Sequence, residues 1–140
     1  MSDYNQARAV AKAIHNHLSN SQEVQSLLGN PPRLYDNPPE DPIYPYLSYG
    51  RMQSSDISGD AAPLSQHIIS LHIWSRYGGR GEIFDCNAAI AAALFGASLP
   101  LGEGIAVHSN ITFTDNFRAP DGRTMHGLIR LSLTTQPSQI

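Results

Sequence analysis

The sequence predicts an α+β domain, one mainly antiparallel sheet of about four strands with helices packed on one side. Three observations carry this expectation. Gln66–Trp74 alternates in the two-residue rhythm of a strand, Glu82–Phe95 repeats apolar side chains at helical spacing, and Ala119-Pro-Asp-Gly-Arg123 is a turn signal between two further alternating runs. With 140 residues, the chain has the length of one domain able to bury about two thirds of its unfolded surface, so residues 1–140 are read as a single unit.

Tyr4, Ala7, Ala11, Ile14 and Leu18 recur at spacings of three and four, predicting a helix from about Asp3 to Ser19 with Ser2 or Asp3 as its N-cap. Asn20 and Glu23 have the spacing of a capping box, so a short second helix should carry Val24, Leu27 and Leu28 and stop at Gly29. Residues 30–45 then hold six prolines, each of which fixes φ and removes a backbone donor. No central strand can pass through them, so this segment reads as a stiff arm with a short edge strand at Arg33–Asp36. Pro45–Met52 follows as a strand, with Tyr46, Ser48 and Gly50 on one face and Leu47, Tyr49 and Arg51 on the other. Residues 53–65 are turn formers without periodicity and read as a long loop. Its length suits either ordering against a partner or a tolerated surface insertion.

In the central strand, Ile69, Leu71 and Ile73 share one face, while Ile68, Ser70, His72 and Trp74 share the other. Trp74 is open to two placements, beneath a helix or at a contact between subunits. The helix over Glu82–Phe95 presents Ile83, Phe84, Ala88, Ile90, Ala91, Leu94 and Phe95 on a broad apolar face, stops at Gly96, and leads through a turn at Leu99–Gly104. Ile105, Val107, Ser109, Ile111 and Phe113 then alternate with Ala106, His108, Asn110 and Thr112. In the last run Met125, Gly127, Ile129, Leu131 and Leu133 alternate with His126, Leu128, Arg130 and Ser132, completing an antiparallel hairpin before a frayed tail over residues 136–140.

Composition removes several classes of function. Nine Lys+Arg against twelve Asp+Glu give a formal charge of −3, which provides no basic field for wrapping nucleic acid. Cys86 is the only cysteine, so neither an internal disulfide nor a thiolate metal cage can form. There is no basic region followed by an apolar run at the N-terminus and no apolar run of about 18 residues, so a soluble product with no membrane partner is expected.

The residues that carry chemistry do not assemble into a reaction centre. His15 and His17 lie about 200° apart around a helix and cannot face one ion. His67 and His72 point to opposite faces of their strand. His72, His108 and His126 can share a sheet face across three strands, but no carboxylate is spaced to complete a site. Asp85 beside Cys86 raises its thiol pKa and so works against a nucleophile. Gly78-Gly-Arg-Gly81 lacks the spacing of either phosphate-binding fingerprint. The expectation is a non-enzymatic protein with no catalytic, cofactor or metal residue.

Leu28-Gly29, Arg33-Leu-Tyr-Asp36, Pro45-Tyr-Leu47, His67 with Leu71-His-Ile-Trp-Ser-Arg76, and Asp121-Gly-Arg-Thr-Met-His-Gly127 occur in an order and spacing that resembles the tail-completion, or tail-terminator, family. That family comes from long-tailed phages, prophages and gene transfer particles. The likeness runs from about residue 5 to residue 135, and the stretch around Ala61-Ala-Pro63 departs from the shorter charged turn expected there. The resemblance implies a hexameric ring that caps the tail tube and joins it to a head-completion, or stopper, protein. DNA would pass through the ring without specific binding. Assembly in the host cytoplasm would precede residence at the head–tail junction of the particle. Another connector or tail-tube subunit of related fold is the nearest alternative, and a small-ligand or hydrolytic domain a more distant one. A ring needs a contact that closes after a fixed rotation. Arg51, Arg76, Arg80, Arg118 and Arg123, near strand ends and turns, are candidates to meet Asp56, Asp60 and Asp121 of adjacent subunits.

Overall fold

The strictest alternation in the sequence forms the middle of the sheet. A computed structural model of the chain describes residues 4–59, 63–95, 99, 101 and 105–136. In chain order the elements are α1 (Tyr4–Ser19), α2 (Gln22–Leu28), β1 (Leu34–Tyr35), β2 (Tyr46–Asp56), β3 (Ser65–Ser75), α3 (Gly81–Leu94), β4 (Ile105–Arg118) and β5 (Met125–Gln136). The five strands form one sheet in the order β1-β2-β3-β5-β4. Only the two-residue β1 runs parallel to its neighbour; all other pairs are antiparallel. The expected α+β class holds, with the short edge strand as the fifth member.

Along β3 every residue from Ser65 in steps of two is buried, and those between are half-buried. β5 repeats the pattern, and the register sets Ile69 opposite Leu131 and Leu71 opposite Ile129. The face they form is covered by α3, whose Ile83, Cys86, Ile90 and Leu94 are buried, whereas Phe84, Ala88 and Phe95, expected on the same apolar face, are exposed because the buried stripe is narrower than the apolar one. α1 adds Val10, Ile14 and Leu18, and α2 adds Val24 and Leu28. Each such side chain removed from water contributes about 1.5–3 kcal/mol, and this layer is the core of the fold.

Local chemistry fixes the ends of the elements. The N-cap of α2 is Ser21, whose Oγ accepts from the Val24 amide, rather than the expected Asn20. Asn20 instead turns back to donate to the Asn16 carbonyl at the end of α1. Gly29 closes α2 with φ of 98°, a left-handed conformation that other residues avoid. The arm after it is tied across its base by Arg33, whose Nε donates to the Pro45 carbonyl at 3.0 Å.

Three expectations change. Residues 53–56 belong to β2 and Ser65 to β3, so the long loop shrinks to the residues between them. The Ile57 amide donates to the Leu64 carbonyl and continues the hairpin. Polar Gln53-Ser-Ser-Asp56 hides this strand because both its faces beyond Met52 are exposed. A bulge at residues 50–51 places Met52 opposite Ile69, on the same face as Leu47 and Tyr49. Two bulges in β4, between Ala106 and His108 and between Ile111 and Phe113, reset its alternation. Phe113 therefore pairs with Arg130, on the face opposite that of Ile111. Among the other expectations, Asp60, Ala61 and Ala62, the Ser2 or Asp3 cap, the stop at Gly96, most of Leu99–Gly104 and the tail beyond Gln136 lie outside the described residues.

A Cβ on Gly127 would lie 2.9 Å from Ile83 Cγ1 and 3.1 Å from Asn116 Oδ1, so α3 sits where only glycine permits. Gly127→Val should therefore destabilise the protein by about 1–3 kcal/mol through overpacking. Urea unfolding measures this, and an unchanged midpoint would contradict the placement of α3.

Candidate interaction surfaces

The sheet face away from the helices has to satisfy its own apolar side chains, and it does so with rings contributed by every strand. Tyr35 of β1 lies 5.9 Å from Tyr46 of β2, and Tyr46 lies 6.3 Å from Trp74 of β3 between centroids. Trp74 stacks on His126 of β5 at 3.9 Å, and His126 meets Phe117 of β4 at 4.7 Å. Trp74 also donates from Nε1 to Ser48 Oγ at 3.0 Å. Trp74 is thus half-buried on the open face, neither under a helix nor free of neighbours. Tyr46, Trp74 and His126 line up because they occupy one register row across β2, β3 and β5.

His72 and His126 share this face, as the sequence suggests, with His72 Nδ1 and His126 Nε2 2.8 Å apart. One ring donates and the other accepts, so the pair is complete when both are neutral. Desolvation lowers both pKa values; for His126 the neighbouring His72 lowers it further, against an opposing effect of Asp115. His108 does not join them. It pairs with Thr134, eight residues along β5 from His126 and roughly 26 Å away. No group of three or more His, Cys, Asp or Glu among the described residues is arranged to hold a metal ion.

On the helix face a polar relay runs from the exposed Ser54 inward to the buried Gln6 of α1. Ser54 Oγ lies 2.8 Å from Nδ1 of the fully buried His67, whose Nε2 lies 3.0 Å from Thr135 Oγ1. Thr135 donates to Gln6 Oε1 at 2.7 Å, which leaves His67 Nε2 as the donor to Thr135 and His67 Nδ1 as the acceptor from Ser54. The serine–histidine contact superficially suggests a nucleophile and base. Its third and fourth members are neutral, however, and neither can hold an imidazolium as a carboxylate would. Cys86 is buried, and burial, reinforced by Glu82 and Asp85 against a smaller opposing effect of Arg33, pushes its thiol up to about 12.

The charged candidates separate into groups. Arg76, Arg118, Asp121 and Arg123 gather at the β4–β5 hairpin. There Asp121 is committed within its own chain: its Oδ1 accepts from the Arg123 and Thr124 amides, and its Oδ2 accepts from Thr124 Oγ1. Arg76 lies 3.6 Å from that carboxylate, donates to Thr124 Oγ1, and stacks over Tyr44. The hydrogen bonds from Thr124 and the backbone, ahead of the Arg76 charge, hold the Asp121 carboxyl down to about 2. Arg118 donates to the Gly122 carbonyl. Arg80 is exposed at the start of α3, Arg51 is exposed at the β2 bulge, and Asp56 ends β2 at the opposite end of the sheet.

Both sides of the sheet end in open strand edges. Among the described residues, β1 covers only Leu47 and Ser48 of β2, residues 49–56 have no outer partner, and β4 pairs with β5 alone. Between α1 and the free part of β2 lies a groove of about 520 Å³, floored by Ile14, Met52 and Ile69 and walled by Arg8 and Lys12. His15 Nδ1 and Tyr49 Oη, 2.8 Å apart, bridge the helix to the strand. The sequence pattern does not single out this groove; its one signal is that Lys12, the sole lysine, stands four residues after Arg8.

Residues 12–136 match the family described as Tail completion protein gp17. The chain belongs to this family. As a tail completion protein it is a structural component of a phage-type tail, and its functional residues are therefore its surfaces. The fold is similar to that of a chain in a structure titled "Virion of native gene transfer agent (GTA) particle", with a TM-score of 0.85 and 21% identity over 96% of this chain and 99% of that one. At this identity the likeness speaks for the fold. No curated protein matches the chain in sequence.

Two measurements probe the open face of this tail completion protein. Trp74→Ala should cost about 1–3 kcal/mol, chiefly from its closest ring stack, on His126, and its hydrogen bond to Ser48. A loss above that range in urea unfolding would place the indole in the core. Because both histidine pKa values are lowered in the fold, the unfolded chain binds protons first as pH falls below about 6.5. Stability should hold near neutrality and fall as the pH drops below about 6.5, and His72→Gln should flatten that decline. A melting temperature as steeply pH-dependent in the variant would show that the pair does not titrate in this window.

Proposed function

We propose that copies of this tail completion protein close into a single hexameric ring on the end of a tail tube. One side of the ring meets the tube protein and the other a head-completion or stopper protein. The observation that carries this reading is a subunit with unpaired strand edges on opposite sides of one sheet, in a chain that belongs to a tail completion family. Edges of this kind must be covered, blunted or used, and two different edges on one subunit suit the head-to-tail contact that a ring requires. Among the candidate charges Arg51 and Asp56 lie on the β2 side and Arg118, Asp121 and Arg123 on the β4 side, and these, together with Asp60, Arg76 and Arg80, would lie near the contacts between adjacent subunits. Each exposed ion pair between them contributes about 0–1 kcal/mol, so they set register more than affinity.

The net charge of −3 supports a channel that DNA crosses without sticking, because phosphate binding needs clustered cations. Arg130 is the one arginine whose register places it on the open sheet face, and it lies 4.9 Å over the Phe113 ring. The protein acts by contact and carries out no reaction. It assembles in the host cytoplasm and then resides at the head–tail junction. No helix among the described residues is long and apolar enough to cross a membrane.

Deleting the gene from a producing strain should give tails of uncontrolled length and unjoined heads. A plasmid copy should restore joined particles, and a copy carrying Arg118→Glu with Arg123→Glu should restore fewer than the parent. Normal particles from the deletion strain would refute the proposal, and stacked tubes of the purified protein would favour a tube subunit instead.

A further inference from the structure

We propose that the groove between α1 and the outer edge of β2 receives an extended acidic segment of another protein, added as a strand beside residues 50–55. Three independent observations converge there. Among the described residues the backbone of β2 beyond Ser48 has no strand partner on its outer side, so its peptide groups are available to an incoming strand. The floor of the groove is apolar, through Ile14, Met52 and Ile69, and takes the alternate side chains of such a strand.

Its rim is cationic. Arg8 and Lys12 are exposed on one stripe of α1, and among the described residues the only ion pair is Arg76–Asp121, which leaves both without a carboxylate. Like charges four residues apart weaken a helix by a few tenths of a kcal/mol, so this pair is unfavourable until an anion arrives. Asp36 is the single carboxylate on the lining, against these two fixed cations, in a chain whose overall charge is negative. Ala11 between them keeps the mouth open. A segment with carboxylates on one side and apolar residues on the other matches all three features.

This chain's own acidic arm, with Glu40 and Asp41, fits less well. It leaves from β1 on the same side of the sheet as the groove, and its prolines lack the amides a ladder needs. The segment would occupy the same β2 edge that the proposed ring contact uses, so it would bind the free subunit before the ring closes.

The test uses the isotope-labelled full chain and a capped peptide, about ten residues long, of alternating valine and glutamate. In two-dimensional NMR the peptide should shift the amides of residues 50–55 and of α1 around Arg8–His15, more strongly at low salt. The exposed-site variants Lys12→Glu and Ala11→Glu, each melting like the parent, should weaken binding about tenfold. Four results would overturn the proposal: shifts confined to β4 or the aromatic face, equal binding of a valine–lysine peptide, displacement of the peptide by a single-stranded oligonucleotide, or the same groove shifts on raising protein concentration alone. The last would assign the groove to a second copy, and the oligonucleotide result would assign it to nucleic acid.

Discussion

The packing of α3 against β3, β5 and β4 is the contact on which the rest of the molecule depends. It demands one face of continuous aliphatic side chains, a helix with small residues such as Ala89, and a strand that yields space at Gly127. Once that face is buried, α1 and α2 have a ledge to rest on, and the inner part of the relay, from His67 through Thr135 to Gln6, acquires its cover. Buried polar groups in such a relay are costly unless each is bonded, so it fixes how α1 sits over the sheet more than it adds stability.

The same contact explains the shape of what is left over. Three helices cover one side of a five-stranded sheet, so the other side must pair its rings with one another, and it does so across a single row. The edges are treated differently. β4 carries two bulges along its length, a device that twists an edge and discourages indiscriminate pairing. β2 is polar beyond Met52, and α1 stands over part of it to form a walled groove rather than a bare edge. A tail structural protein has to associate with chosen neighbours only, and these two treatments limit the choice.

Much of this was legible in the residues because alternation survives wherever a strand has one buried face. β3 and β5 obey it throughout, and the helix under Ile83, Ile90 and Leu94 obeys the 3.6-residue rule. It fails where a bulge inserts a residue, which is why Phe113 appeared to share a face with Ile111, and where both faces are wet, which is why residues 53–56 resembled a loop. Ser21 displaced Asn20 as cap because either side chain can serve and only the geometry decides. Arg51, Asp56, Arg76, Arg80, Arg118, Asp121 and Arg123 are exposed, but the commitment of Asp121 to its own turn has no sequence signature beyond Asp-Gly. Arg8 and Lys12 escaped notice because a short cationic stripe on a helix is usually a solvated surface.

In the proposed function, copies of this chain work by setting the β2 edge of one beside the β4 edge of the next at the end of a tail. Electron cryomicroscopy of the intact particle that carries it addresses that claim most directly. The account predicts one layer of six copies between tube and head, with the β2 side of each copy facing the β4 side of the next. A junction without this chain, or copies repeated in many layers along the tube, would contradict it.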